Sequence, residues 1–126
     1  NKSLFSLFTD KDTFSDRILI LMFHFAFFLR EYKKSIDKEY LQKFFDYFFR
    51  QIELNLREIG YGDVSINKKM KDYINVFHAI ISDIHFWNDL DLIKKKEIIS
   101  KFLENFSNID ELVVYFDEYL INLSKN

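Results

Sequence analysis

The sequence predicts an all-α protein: a single compact helical domain of about five helices, with an antiparallel helix pair around a Gly-x-Gly-Asp turn. Three observations carry this. Apolar residues recur at three- and four-residue spacing over long runs, the mark of a helix with one core face. No run shows sustained period-two alternation bounded by turn residues, so no strand is placed. The 126 residues hold no proline and only two glycines, Gly60 and Gly62, both in one short stretch. Glycine serves where φ must be positive or room is short, so the permissive residues are kept for one turn. The length fits one domain over 1–126. A chain of this size buries roughly two-thirds of its unfolded surface, enough for its own core.

The elements follow in order. Leu4, Phe5, Leu7 and Phe8 form a short apolar lead-in. The first main helix is expected from about Thr13 to Lys34 with Asp12 as its cap. Its centre, Ile18 to Leu29, is apolar nearly all round, which asks for cover on several sides. Twelve residues span about 18 Å at 1.5 Å per residue against roughly 30 Å of hydrocarbon, too short to cross a bilayer. His24, in its middle, reads as a hydrogen-bonded core histidine.

A polar stretch, Lys33 to Asp37, breaks the pattern, and Asp37 is placed to cap a second helix over Lys38 to Ile59. Leu41, Phe44, Phe45, Phe48, Ile52, Leu56 and Ile59 make its core face. Asp46, Arg50, Glu53 and Arg57 recur on another face as an ion ladder, either a solvated face or a surface for a partner. Gly60 ends the helix as a left-handed cap. Tyr61, Gly62 and Asp63 make the turn, and Ser65 is expected to cap a third helix over Ile66 to Asn88. Its apolar face is Met70, Tyr73, Ile74, Phe77, Ile81 and Ile84, with Ile80 and Trp87 beside it. So short a turn folds the two helices into an antiparallel pair. Asp89 or Asp91 caps a fourth helix to about Phe106. Asn108 with Glu111 has capping-box spacing and opens a fifth helix through about Ser124.

Composition narrows the function. Lys and Arg total 18 and Asp and Glu 20, a net charge of −2, which gives no electrostatic case for nucleic acid. Without cysteine there is no disulfide, thiolate metal site or cysteine nucleophile. The 16 phenylalanines suit a sticky surface for another chain, and equally the codon skew of an AT-rich genome, which also leaves alanine only at Ala26 and Ala79. No basic n-region of a signal peptide is visible at the first residues, and with the skewed composition this leans towards a bacterial protein. His78, Ser82, His85 and Asp89 share a stripe of the third helix, but Lys71 and Asn75 continue it and mark it as the wet side. No Glu-x-x-His, His-Glu-x-x-His, phosphate loop or Gly-x-Ser-x-Gly is present, and no carboxylate stands isolated in an apolar run. The expectation is a non-enzyme with no catalytic residue, metal or cofactor.

One stretch carries a sharper signal. Phe45-Asp46, Leu56-Arg57-Glu58, Gly60, Gly62-Asp63 and Lys68-Lys69-Met70-Lys71 resemble the signature of the ubiquinol–cytochrome c chaperone family. Upstream, Asp12-Thr13, Arg17, His24 and Arg30 resemble the same family's first helix; the last helix is similar only loosely. The resemblance is strong over Asp12 to Phe77. It departs at Phe77-His78-Ala79-Ile80, where the family pattern is Phe-Tyr-Gly-Arg, and in the short lead-in where members carry a further helical segment.

The resemblance implies a non-catalytic, all-helical assembly chaperone for the respiratory bc1 complex. Its client would be newly made cytochrome b, held until haem and partner subunits join. A small co-chaperone and the ribosome are further partners of the mitochondrial relatives. The place implied is cytoplasmic, peripheral to the inner membrane in a bacterium, or the matrix side in a mitochondrion. Arg17, His24, Arg30, Asp46, Arg57, Glu58, Asp63 and Lys69 are the candidate partner-binding residues. Phe49 and Phe86, off the main core faces of their helices, are candidates for exposed client contacts or for packing on a fourth helix.

Overall fold

The computed structural model describes residues 14–104 and 106–124. Among the described residues there are five helices: α1 (Phe14–Tyr32), α2 (Lys38–Ile59), α3 (Asp63–Asp83), α4 (Leu92–Phe102) and α5 (Ile109–Ser124), with a 3-10 turn at Trp87–Asp89. No strand occurs among the described residues. The expected lead-in from Leu4 to Phe8 and the cap at Asp12 lie outside them.

α1 is the central element, for the reason its sequence suggested. It packs on α3 with one side and on α5 with another. Phe25 points towards the α2–α3 pair, with its ring 4.9 Å from Phe48 and 5.1 Å from Phe77. Phe23 and Phe27 point the other way, 5.6 and 5.2 Å from Phe116, and Phe27 meets Trp87 edge-on. Aromatic pairs at these separations favour tilted and edge-to-face arrangements, and each adds about 0.5–1.5 kcal/mol beyond its buried area. One continuous core results, with Met22, Phe23, Phe27, Phe77, Ile80, Trp87 and Phe116 sealed from solvent.

Polar tethers fix the packing. The Tyr32 hydroxyl donates to the Leu123 carbonyl at 2.7 Å, and the Trp87 indole N–H donates to Asp117 at 2.9 Å. Lys95 reaches the same Asp117 oxygen at 3.0 Å. Arg30 Nε donates to the carbonyl of His85 at 3.1 Å, satisfying an acceptor beyond the end of α3.

α2 begins and ends where the sequence places it. The Asp37 carboxylate accepts from the Glu39 amide at 3.2 Å. At the other end Gly60 has φ +112°, its N–H donates to the Arg57 carbonyl, and the Tyr61 N–H donates to that of Leu56. These two bonds are the Schellman pair that closes a helix.

Three boundaries differ. α3 starts at Asp63, capped by Gly62 with no side-chain bond, rather than behind a Ser65 cap. An aspartate in the first turn faces free N–H groups and the positive end of the helix dipole, which already suits a start there. α3 also stops at Asp83 instead of reaching Asn88, because the chain turns to bury Trp87 completely against α1 and α5. α4 ends at Phe102, and Leu103 and Phe106 enter the core from non-helical backbone. In each case a tertiary contact outweighs local periodicity.

Candidate functional site

The turn between α2 and α3 gathers part of the charged set singled out in the sequence. Arg57 donates to Asp63 at 2.5 Å and reaches Glu53 at 3.4 Å. Lys69 does not join this pair; its ammonium lies 4.8 Å from the centre of the Tyr61 ring, a cation–π contact. Glu58 is exposed and makes no ion pair among the described residues. The ladder expected along α2 closes only at Arg57, since Asp46 accepts from Gln42 at 2.9 Å rather than from Arg50. Gly62 has φ −80° and open space where a Cβ would stand, so only Gly60 is held to glycine by its backbone. Around this tip Ile59, Tyr61 and Val64 are exposed.

Two candidate contact residues turn out to face inward. Phe49 is 4 % exposed, packed on Phe45 at 4.6 Å and on Phe77 at 5.5 Å. The expectation of an exposed client contact at Phe49 is therefore corrected: its neighbour α3 covers it. Phe86 is exposed, against the His85 ring.

His24 faces α5, not an outer surface. Its Nδ1 lies 2.8 Å from the Ile20 carbonyl and its Nε2 lies 2.7 Å from the Tyr115 hydroxyl. A carbonyl only accepts, so Nδ1 carries the proton and Nε2 accepts from Tyr115. Burial pushes the imidazole below its ordinary value of 6.5, opposed by the Ile20 bond. These bonds fit the reading of His24 as a hydrogen-bonded core histidine. Arg17 is exposed on α1. His78, Ser82, His85 and Asp89 are all exposed, as the wet-side reading has it.

A concavity lies elsewhere, at the end of the bundle where α1 gives way to α2. It is an open groove of about 970 Å³. Leu29, Leu41, Phe45, Phe77 and Ile81 form its apolar floor. Leu41 and Phe45 stand four residues apart on α2 and present a ridge of one helical turn, while on the α3 side Ile81 is half-buried at the groove and Phe77 lies sealed beneath it. Arg30, Lys33, Lys34 and Lys38 form a cationic rim at the α1–α2 turn, against one carboxylate, Glu31, which pairs with Arg30 at 2.7 Å. His78, His85 and Asn88 complete the edge on the α3 side.

Of the candidate residues only Arg30 belongs to this groove. In the sequence Lys33 and Lys34 fall in the break between helices and Lys38 opens the next one; the signal that points to them is spacing, four cations from Arg30 to Lys38 directly after an apolar helix.

Next to the groove Tyr40, Phe44 and Tyr47 form an exposed aromatic stripe along α2. Phe44 was expected in the core; α2 carries a wider apolar face than α1 and α3 cover. A smaller cleft of about 430 Å³ includes Glu31, Lys95 and Asp117, whose carboxylate Trp87 and Lys95 already engage.

No described helix is long and apolar enough to cross a membrane. Among the described residues no three histidine or acidic side chains converge as metal ligands would. No curated protein and no solved structure matches the chain. A family model described as "Ubiquinol-cytochrome C chaperone" matches residues 7–91. That segment contains α1, α2, α3 and every residue that lines the large groove. With well over half of its length matched, this chain belongs to the ubiquinol–cytochrome c chaperone family.

Proposed function

We propose that this chain is a non-catalytic assembly chaperone for the ubiquinol–cytochrome c reductase (bc1) complex, and that its client is newly made cytochrome b. Family membership supports the role in bc1 assembly. The observation that carries the site is the groove: an apolar floor of about 970 Å³, lined only by residues of the matched segment. A client made of apolar helices needs such a surface before its partners arrive, and helix-in-groove recognition supplies it through anchors at i, i+3/i+4 and i+7. The exposed Tyr40, Phe44 and Tyr47 extend that surface. Holding needs shape and apolar area rather than a perturbed acid or a metal. The work is placed at the face of the energy-transducing membrane where cytochrome b is made, cytoplasmic in a bacterium and matrix-side in a mitochondrion, with a small co-chaperone or the ribosome as further partners.

A second reading, a helical interaction domain that has kept the fold and changed its client, draws on Phe77 to Ile80. Ile80 is completely buried where the resemblance has arginine, and His78 lines the groove where it has tyrosine. Deleting the gene separates the two. A selective fall in cytochrome b and in assembled bc1 complex is expected; normal levels of both would contradict the chaperone role and favour the second reading.

A further inference from the structure

We infer that the groove selects an apolar helical segment carrying acidic residues at the end that lies over the α1–α2 turn. This rests on the groove being the client site, and adds the chemistry by which a client segment is chosen and oriented.

The groove is polarised along its length. Its inner part is Phe45 beside Phe77, with ring centres 6.0 Å apart. Its mouth carries Arg30, Lys33, Lys34 and Lys38. Among the lining residues four cations stand against the single Glu31, with Asp37 and Glu39 flanking Lys38 outside the groove, in a chain whose net charge is −2. Arg30 is engaged by Glu31 and by the His85 carbonyl. Lys33, Lys34 and Lys38 are exposed and form no ion pair among the described residues.

The occupant follows from shape and charge together. The ridge of Leu41 and Phe45 on one wall faces Ile81 on the other, a channel into which the ridge of a third helix fits. A volume of about 970 Å³ accommodates roughly two turns of helix at 5.4 Å pitch and about 10 Å diameter. Apolar contact alone gives affinity without direction. Three lysines at one end, within a Debye length of roughly 8 Å of a bound segment's terminus, supply direction. They favour carboxylates there, and reject a segment with lysine or arginine at the same end through like-charge cost.

The test uses fluorescein-labelled helical peptides with leucine at i, i+3, i+4 and i+7. One carries three glutamates at one end, its counterpart three lysines. Vesicles with about one-third anionic phospholipid serve as the competing ligand. In low salt the glutamate peptide should bind at least about tenfold more tightly, since three exposed pairs each contribute a few-fold. Added salt should shrink that difference. The triple variant Lys33→Glu/Lys34→Glu/Lys38→Glu should invert the preference with an unchanged helical signal. Equal binding of the two peptides, or an unaltered preference in the triple variant, overturns the inference. So does vesicle binding that the triple variant abolishes while neither peptide binds, which assigns the groove to lipid. If gene deletion lowers bc1 levels but the peptides are not discriminated, the chaperone role stands and the charge rule falls. If the peptides are discriminated but bc1 levels stay normal, the charge rule stands and the client assignment falls.

Discussion

The Nε2 of His24 on α1 accepts a hydrogen bond from the hydroxyl of Tyr115 on α5, at 2.7 Å. The same ring lies edge-on to Tyr115, Phe116 and Tyr119, with centres 5.0 to 5.3 Å away. One imidazole therefore ties the first described helix to the last, and burial favours its neutral form.

That neutrality sets a pH dependence. Burial lowers the folded pKa of His24 below its ordinary 6.5, so in the window beneath 6.5 the unfolded chain takes up a proton that the folded chain does not. Unfolding is then favoured as pH falls, and the His24 contribution is complete above 6.5. Thermal unfolding of the parent should show Tm dropping from pH 7 towards pH 5. The drop should be shallower in His24→Gln, which lacks that imidazole. Tyr115→Phe removes the donor and should cost about 1 kcal/mol at pH 7. Identical pH slopes in parent and His24→Gln would rule out the buried imidazole as the sensitive group.

The two glycines make a paired prediction. Gly60 holds φ +112°, where any L side chain is strained, so Gly60→Ala should cost about 1–2 kcal/mol. Gly62 sits at φ −80° with open space around its Cα. There an alanine only restricts the unfolded chain, so Gly62→Ala should be neutral or stabilise by about 0.4–1 kcal/mol. Urea titration of both variants gives the two numbers, and comparable destabilisation in each would contradict the separation.

The contrast between these glycines shows what the sequence made legible. Gly60 follows a run of three- and four-residue apolar spacing, so its role as a helix stop was readable, as was the cap at Asp37, which accepts from Glu39; of the two candidates Asp89 and Asp91, it is Asp91 that accepts from Lys94. These are local signals, and local signals survive folding. Gly62 looked equivalent because sequence shows residue type, not φ. Phe44 and Phe49 exchanged places between core and surface because α2 has phenylalanine or tyrosine almost all round its first half. Periodicity then leaves the buried direction open, and only the position of α3 settles it. The groove was invisible for a related reason: its floor comes from α1, α2 and α3 and its rim from a turn. Nothing but the tertiary arrangement brings Lys33 and Phe77 to one concavity.

Phe49 and Phe86 should now behave oppositely. Phe49→Ala opens a cavity among Phe45, Phe48 and Phe77 and is expected to cost about 3–5 kcal/mol, a large part of the stability of a domain this size. Phe86 packs mainly on His85 at the surface, and Phe86→Ala should stay within about 0.5 kcal/mol. Chemical denaturation distinguishes them directly, and a strongly destabilised Phe86→Ala would show that the fold relies on that ring.

The last prediction concerns the charged turn. Arg57, Glu58, Asp63 and Lys69 lie close in sequence around the turn, where a cluster of them would fix the angle between α2 and α3. Only the Arg57–Asp63 pair forms, and both side chains are largely in water. Ion pairs so exposed contribute little, while the angle is also held by Ile66, Leu56 and Ile52 buried beneath the turn. The groove lies at the far end of the same two helices: Phe45 is fifteen residues from Gly60, about 22 Å along α2 at 1.5 Å per residue. Asp63→Ala should therefore leave Tm and the binding of the glutamate-ended peptide close to those of the parent. If client binding falls while Tm holds, the exposed tip of Ile59, Tyr61 and Val64 is itself a contact surface. If Tm falls sharply, the pair locks the helix angle in spite of its exposure.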